Sequence, residues 1–284
     1  MDWLPLAVSL AVAALVTPAL LDLLERSGVV RENYRGQVLP AAAGTVIVIS
    51  ALLALGPVSA LDELTGAELL RPDLGDALIY VLGVAVLGLV DDLLGGRAPA
   101  GAASAQAPRG WRGHARAAAA GSLSTGMLKA VGALGLALYV TAGGGQPAAE
   151  YLVSVGLLVL STNLFNLLDL RPGRAGKSFL ALGAVLTVVM WDTGPLRTLG
   201  IFIGPALVLL PYDLRERAML GDVGSNVLGA LAGIWFVLTL GGEGETVALA
   251  VIALITLYAE FRSISSLVEK NPLLGWLDSL GRSS

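Results

Sequence analysis

Apolar residues occur in long runs along this chain, separated by short polar segments. Backbone in lipid must be helical or form a closed barrel, and an α-helix needs roughly 17 to 25 residues to cross the bilayer. The runs lack the alternation of apolar and polar residues that is typical of barrel strands. The pattern therefore predicts nine membrane-spanning helices, at residues 3–24, 39–56, 76–94, 123–142, 149–168, 178–193, 197–211, 222–240 and 246–261.

The C-terminal residues 262–284 depart from this pattern. The apolar stretch at 263–280 is interrupted by the sequence Glu-Lys-Asn-Pro at 269–272. Such an interruption favours an amphipathic or interfacial pair of helices over a tenth span, although ten spans stay open. The fold class predicted is all-α: a single integral membrane domain over residues 1–284, built as a polytopic bundle of nine to ten helices.

Composition agrees with a membrane protein and excludes several classes of function. Of the residues, 55% are apolar and 14% are charged, whereas roughly a quarter of the residues in soluble domains are charged. No cysteine is present, which excludes disulfides, thiolate zinc sites and cysteine nucleophiles. A net charge of -4 and few aromatic residues argue against a nucleic-acid partner.

The distribution of basic residues predicts the orientation of the bundle. Nearly all arginines and lysines follow the odd-numbered predicted spans, whereas acidic residues dominate the other segments. The exceptions are Arg71, Arg197 and Lys129, the last inside the fourth predicted span. Since cytoplasmic segments retain basic residues, we expect the N-terminus outside and, with nine spans, the C-terminus inside.

Acidic residues at the predicted cytoplasmic ends of spans are the first candidates for function. Asp91 and Asp92 end the third span, Asp169 ends the fifth and Asp222 begins the eighth. Two adjacent carboxylates at a helix C-terminus are unfavourable unless a cation such as Mg²⁺ or an arginine compensates them. The alternative is that Asp91 and Asp92 are solvated at the membrane surface. For Asp222 the alternative is a helix N-cap, although the glycines around it also allow close approach of another group.

A polar stripe leads to one of these acids. Asn163, Asn166 and Asp169 recur at every third residue and so share one side of the fifth predicted helix. In a membrane helix such a stripe faces protein or water. The alternative is that the asparagine side chains only form hydrogen bonds that hold neighbouring helices together.

Basic residues near these acids are candidates for binding phosphate. Arg171, Arg174 and Lys177 lie in a turn-forming segment with Pro and Gly, and their side chains suit phosphate oxygens. The alternative is an ordinary cytoplasmic anchor. Lys129 can snorkel to the membrane surface or meet a phosphate. His114, the single histidine, is a candidate substrate contact or an incidental loop residue.

Three motifs occur in order at the predicted inner helix ends. They are Gly-Leu-Val-Asp-Asp at 88–92, Asn-x-x-Asn-x-x-Asp at 163–169 and Gly-Asp-Val-Gly-Ser at 221–225. With Lys129 and the turn at 40–44, they resemble the polyprenyl-phosphate N-acetylhexosamine-1-phosphate transferase superfamily. This superfamily includes the phospho-N-acetylmuramoyl-pentapeptide transferase of peptidoglycan synthesis.

The resemblance implies a transferase of the bacterial plasma membrane with a cytoplasmic active site. Family members have ten spans and move a phospho-sugar from a UDP-sugar to polyprenyl (undecaprenyl) phosphate, releasing UMP. They depend on Mg²⁺, with Mn²⁺ as an alternative ion, and serve cell wall biogenesis.

The motif match also implies roles for individual residues. Asp222 would bind the metal. Asp91 and Asp92 would handle the polyprenyl phosphate or the metal, and these two with Asp169 would be the catalytic carboxylates. Asp169 and the two asparagines would line the nucleotide site. With the basic residues and the histidine considered above, the set predicted to bind the nucleotide sugar or its phosphates is Lys129, Asn163, Asn166, Arg171, Arg174, Lys177 and His114.

Departures from the family pattern bear on the donor. After Asp169 the chain continues Leu-Arg-Pro-Gly, where the peptidoglycan enzyme has Gly-x-Asp-Gly. No histidine-rich motif precedes the C-terminus, and Met219 stands where the peptidoglycan enzymes often have an aromatic residue. These differences argue against a muramoyl-pentapeptide donor.

Two other functions remain open at this point. One is a transporter or flippase-like protein for an anionic lipid or solute, in which membrane acids would couple to ions. The other is a catalytically silent homologue that binds polyprenyl phosphate. A homodimer is likewise left open, since membrane interfaces use the same small and apolar residues as internal packing.

Overall fold

A computed structural model describes residues 2–95 and 124–282 of the chain. Within these ranges helices dominate, and one short antiparallel ribbon of two strands joins the first two helices. The elements are α1 (Leu4–Arg26), β1 (Val30–Glu32), β2 (Val38–Pro40), α2 (Thr45–Thr65), α3 (Leu74–Leu94), α4 (Thr125–Thr141), α5 (Ala148–Leu168), α6 (Arg174–Met190), α7 (Leu196–Leu214), α8 (Gly221–Thr239), α9 (Gly242–Phe261), α10 (Ile264–Lys270) and α11 (Pro272–Ser279).

Seven of the described helices are long and apolar enough to cross a membrane, namely α1, α2, α3, α5, α7, α8 and α9. The described chain is therefore an all-α, multi-pass membrane protein. The predicted count of nine to ten spans is not confirmed. α4 is apolar but has only 17 residues, and α6, also of 17 residues, begins with Arg174 and includes Lys177 in its first turn.

The ribbon corrects the predicted start of the second span. Residues 39 and 40 belong to β2, which pairs with β1 so that Pro40 lies opposite Val30. The chain then turns through Ala42, whose φ of 53° is not helical, and α2 begins only at Thr45. Apolar composition alone could not separate this strand from the helix that follows it.

The C-terminal tail contains two helices of seven and eight residues, α10 and α11. At a rise of about 1.5 Å per residue each is far too short to span a bilayer. No tenth span exists in the described part of the tail. Leu273 and Trp276 are exposed on α11, and its placement at the membrane interface stays a prediction.

Helix α8 lies at the centre of the bundle and packs against α3, α5 and α6. It is apolar and almost entirely buried, from Val223 to Trp235. Glycines allow its close contacts. A Cβ atom on Gly88 of α3 would lie 2.6 Å from the carbonyl oxygen of Asp222 and 2.7 Å from Cα of Val223. The Asp-Asp end of α3 is thus held directly against the first turn of α8.

Gly88→Ala is therefore expected to destabilise the bundle. The added methyl group would meet backbone atoms, which cannot rotate away, and such overpacking costs roughly 1 to 3 kcal/mol. We expect a lower thermal unfolding midpoint in detergent. Gly135→Ala is the matched control, because a Cβ on Gly135 of α4 meets nothing within 4 Å. Equal unfolding midpoints for the two variants would contradict the close contact of α3 and α8.

Candidate functional site

The ends of several helices meet at one end of the bundle, here called the site end. Helices α3, α5 and α7 finish there, and α4, α6 and α8 begin there. The antiparallel succession of helices brings acidic residues together at this end. Most of the residues singled out from the sequence therefore lie close together, although they come from separate helices.

Lys129 is the centre of this cluster. Its ammonium Nζ donates to Asp222 Oδ2 at 2.8 Å and to Asp91 Oδ2 at 3.1 Å. The Asn166 side chain, with its amide oriented to suit both neighbours, accepts from Lys129 Nζ and donates to Asp222 Oδ1, each at 3.0 Å. The side chain of Lys129 is only 14% exposed. All three donors of the ammonium are thus used, and the lysine contacts carboxylates rather than snorkelling to water.

Asp92 faces a different set of partners. Its Oδ1 and Oδ2 accept from the backbone N–H groups of Asp222 and Val223, each at 3.0 Å. A carboxylate in this position satisfies amides that have no partner within the helix and complements its positive end. The cap of α8 therefore comes from Asp92 of another helix and not from Asp222. Asp92 thus holds the terminus of α8, and its predicted role as a metal ligand stays a prediction.

Asp169 ends α5 beside a second acid that the sequence analysis missed. Burial raises the pKa of Asp169 well above its ordinary value, and the nearby carboxylates of Asp213 and Asp222 raise it further. Asp213 is buried near the end of α7, where its Oδ2 accepts from the N–H of Gly173 at 2.8 Å. Asp169 therefore holds its proton to a higher pH than an exposed aspartate does.

A cavity of about 190 Å³ opens beside this cluster. Of the residues predicted from sequence, Asp92, Asp169, Arg171 and Asp222 line it. Five polar residues that also line it were not predicted from the sequence, namely Arg31, Asn33, Tyr34, Asp213 and Glu216. A signal was available for Asp213, which lies just beyond the predicted inner end of the seventh span. The sequence around the other four residues does not indicate that they line a cavity. They are brought to it by the fold of the ribbon and of the segment that follows α7.

The ribbon β1–β2 is held over the cavity by a buried glutamate. Glu216 Oε2 accepts from Asn33 Nδ2 at 2.7 Å, and its Oε1 accepts from the hydroxyl of Tyr34 at 3.2 Å. Arg35 approaches the same carboxylate at 3.4 Å. At the base of the ribbon, Arg31 donates to the carbonyl oxygen of Asp92 at 2.9 Å. These contacts fix an aromatic and a cationic side chain at the cavity.

Arg171 is the member of the predicted phosphate-binding trio that lines the cavity. Its guanidinium lies 4.8 Å from the ring centre of Tyr34 and 3.2 Å from Glu269 Oε1. Arg174 and Lys177 point elsewhere: Arg174 pairs with Asp278, and Lys177 Nζ donates to carbonyl oxygens of the tail. The C-terminal tail therefore holds both side chains in this structure, and their role in binding phosphate stays a prediction.

One further predicted contact is not part of the cluster, and another cannot be placed. Asn163 is exposed on α5 and takes no part in the hydrogen bonds around Lys129. His114 lies outside the described residues. The polar stripe of α5 thus contributes Asn166 and Asp169.

The resemblance implies a magnesium ion, and the donors can be compared with what Mg²⁺ requires. Across the described residues, no group of three or more His, Cys, Asp or Glu side chains could hold a metal. Mg²⁺, however, often takes one or two carboxylates and completes its shell with water and substrate phosphates. Asp91 and Asp222, neighbours through Lys129, supply such a pair of oxygen ligands. The site fits an ion that arrives with a diphosphate and does not fit a permanent protein cage.

Comparison with protein-family models and with curated proteins found no match to this chain. Any function assigned to the chain therefore depends on the geometry of the site and on the motifs that form it.

Proposed function

We propose that the chain is a Mg²⁺-dependent phosphoglycosyl transferase. It would move a phospho-sugar from a UDP-sugar to a polyprenyl phosphate, producing UMP and a polyprenyl-diphosphate-linked sugar. One observation carries the proposal: Lys129, Asp91, Asp222 and Asn166, from four separate helices, form one hydrogen-bonded cluster beside a polar cavity. Buried charges in a membrane are costly, and helices can pack in lipid without them. A polar cluster built from four helices therefore indicates a function rather than packing alone.

The chemistry divides among the residues by charge. Arg171 and Arg31 at the cavity would bind the donor diphosphate, and Asp91 and Asp222 would hold the metal. When bound, Mg²⁺ would neutralise charge on the diphosphate. An oxygen of the acceptor phosphate would form a bond to the phosphorus that carries the sugar. The bond between that phosphorus and the bridging oxygen of the diphosphate would break. UMP would leave with the bridging oxygen. Positioning and charge neutralisation are most of what phosphoryl transfer needs.

The position of the cluster suits a lipid acceptor. The site end is where helices that can span a membrane finish, so a polyprenyl phosphate could present its head group from the bilayer while a soluble nucleotide enters the cavity. The positive residues near this end favour a cytoplasmic location. We therefore propose a bacterial plasma membrane protein with a cytoplasmic site that serves cell wall biogenesis.

A small donor sugar is favoured over a large one. Pro172 stands where the peptidoglycan enzyme has a second acidic residue, and Arg171 and Arg174 lie on either side of it. The proposed donor is a UDP-N-acetylhexosamine without an attached peptide.

The test is a screen of donors with purified protein, polyprenyl phosphate and Mg²⁺. We expect release of UMP with at least one UDP-N-acetylhexosamine, loss of release when EDTA removes the divalent ion, and recovery when Mg²⁺ or Mn²⁺ is restored. Binding of polyprenyl phosphate without turnover of any donor would instead support a silent homologue. Transport of lipid across vesicles without UMP release would support a flippase.

A further inference from the structure

The C-terminal tail contacts the segment that forms one wall of the cavity. Asp278 of α11 accepts two hydrogen bonds from Arg174, at 2.8 and 2.9 Å, and two from Arg282, at 2.9 and 2.8 Å. Arg174 also donates to the hydroxyl of Ser265 at 2.9 Å. Lys177 donates to three backbone carbonyls of the tail. Paired guanidinium and carboxylate groups of this kind are strong and geometrically specific.

The position of Arg174 explains why the tail carboxylate is needed. Arg174 is the first residue of α6, and its side chain is only 6% exposed. The N-terminus of a helix carries partial positive charge, so two cations in this first turn are unfavourable. The negative charge of Asp278 offsets the positive charges of Arg174 and Lys177. Burial alone would raise the pKa of Asp278, but its hydrogen bonds with Arg174 and Arg282 lower it to about 2. The carboxylate is charged at every pH at which the protein would work.

The same contacts extend to the residues that line the cavity. Arg282 donates to the carbonyl oxygen of Pro172 at 2.8 Å, and Arg171 pairs with Glu269 of α10. Residues 169–172 all line the cavity. The tail thus contacts the segment 171–174 at three residues, namely Arg171, Pro172 and Arg174.

We propose that the C-terminal tail is a positioning element of the site, and that Asp278 sets the location of Arg171 toward the diphosphate of the donor. The proposal depends on the proposed function for the identity of the ligand. Asp278 contacts neither the cavity nor the clustered carboxylates, so it acts only through Arg174, Arg282 and the segment between them. The predicted consequence is a weaker hold on the donor with little change in the chemical step.

The test compares Asp278→Asn with Asp278→Glu and with the wild type. Asparagine keeps the shape but removes the charge, whereas glutamate keeps the charge and can still accept from both guanidiniums. We expect Asp278→Asn to speed hydrogen–deuterium exchange in peptides covering 169–177 by about tenfold and to raise the donor KM by about tenfold, with kcat within twofold. Asp278→Glu should restore most of both. Asp22→Asn is the matched control, because Asp22 pairs with Arg26 on the surface of α1.

Hydrogen–deuterium exchange can be measured whether or not the protein turns over a donor, so failure of this inference can be distinguished from failure of the proposed function. Unchanged exchange in Asp278→Asn would overturn the inference, and so would faster exchange with an unchanged donor KM. If the wild type turned over no donor, the proposed function would fail. Binding of inorganic pyrophosphate in Mg²⁺ buffer, measured by calorimetry, would then decide the inference: weaker binding by Asp278→Asn supports it, and equal binding or none by the wild type overturns it.

Discussion

Replacing Asp222 by alanine should reduce UMP release to the background rate while the bundle stays folded. The side chain of Asp222 does not cap its own helix, because Asp92 provides the cap. Its partners are Lys129 and Asn166. In the proposed reaction Asp222 holds the ion that meets the diphosphate, and removing one group that stabilises charge in a transition state costs about 10²- to 10³-fold in rate.

The measurement is UMP release at saturating donor, together with the thermal unfolding midpoint of each variant. Asp76→Ala is a suitable control, because Asp76 is an exposed carboxylate in the first turn of α3, at the opposite end of that helix from Asp91. The control should retain wild-type turnover. If Asp222→Ala kept more than about a tenth of wild-type turnover, the assignment of Asp222 to the metal would be wrong.

Lys129→Met should remove both activity and stability. Without the ammonium, Asp91 and Asp222 would face each other with no protein cation between them. Breaking a fully buried ion pair costs about 3 to 5 kcal/mol of folding free energy, and breaking an exposed pair costs under about 1 kcal/mol. The carboxylates of Asp91 and Asp222 are 18% and 31% exposed, which lies between these cases. We therefore expect Lys129→Met to lower the free energy of unfolding by about 2 kcal/mol. Lys129→Arg should not restore turnover, because a planar guanidinium cannot take the place of a compact ammonium among three acceptors.

Chemical unfolding in detergent and the UMP assay measure the two effects. Lys270→Met, on the exposed tail helix α10, removes a charge of the same kind and should change neither. Added Mg²⁺ gives a further comparison: if the ion replaces the missing charge, it should raise the unfolding midpoint of Lys129→Met more than that of the wild type. Wild-type stability in Lys129→Met without added metal would show that the carboxylates do not depend on the lysine.

Much of the helical framework could be predicted from sequence because hydropathy is a property of contiguous residues. Each of the nine predicted spans overlaps one of the helices α1 to α9. The boundaries were less accurate where a different local structure shares the same composition. Residues 39 and 40 are as apolar as a helix start but form β2, and the φ of Ala42 then separates β2 from α2.

The roles of individual charged residues were harder to predict, because partners lie far apart in the chain. Asp222 has the sequence position of a helix cap, yet Asp92, 130 residues earlier, binds the amides at that helix terminus. Arg174 has the sequence position of a phosphate ligand, yet Asp278, 104 residues later, binds it. In both cases the residues nearby in the sequence are compatible with more than one partner for the charged group, and they do not identify the partner it has in the fold.

By itself, the sequence determined that this is an all-α membrane protein and that its polar residues lie near the ends of its helices. Both follow from hydrophobic burial, which depends on the order of residues along a single segment. Only the tertiary structure decided which carboxylates share Lys129, which one caps α8 and which arginine reaches the cavity. The physical reason is that a charge is stabilised by whatever opposite charge lies within a few ångströms, and that distance is set by the packing of helices distant in sequence.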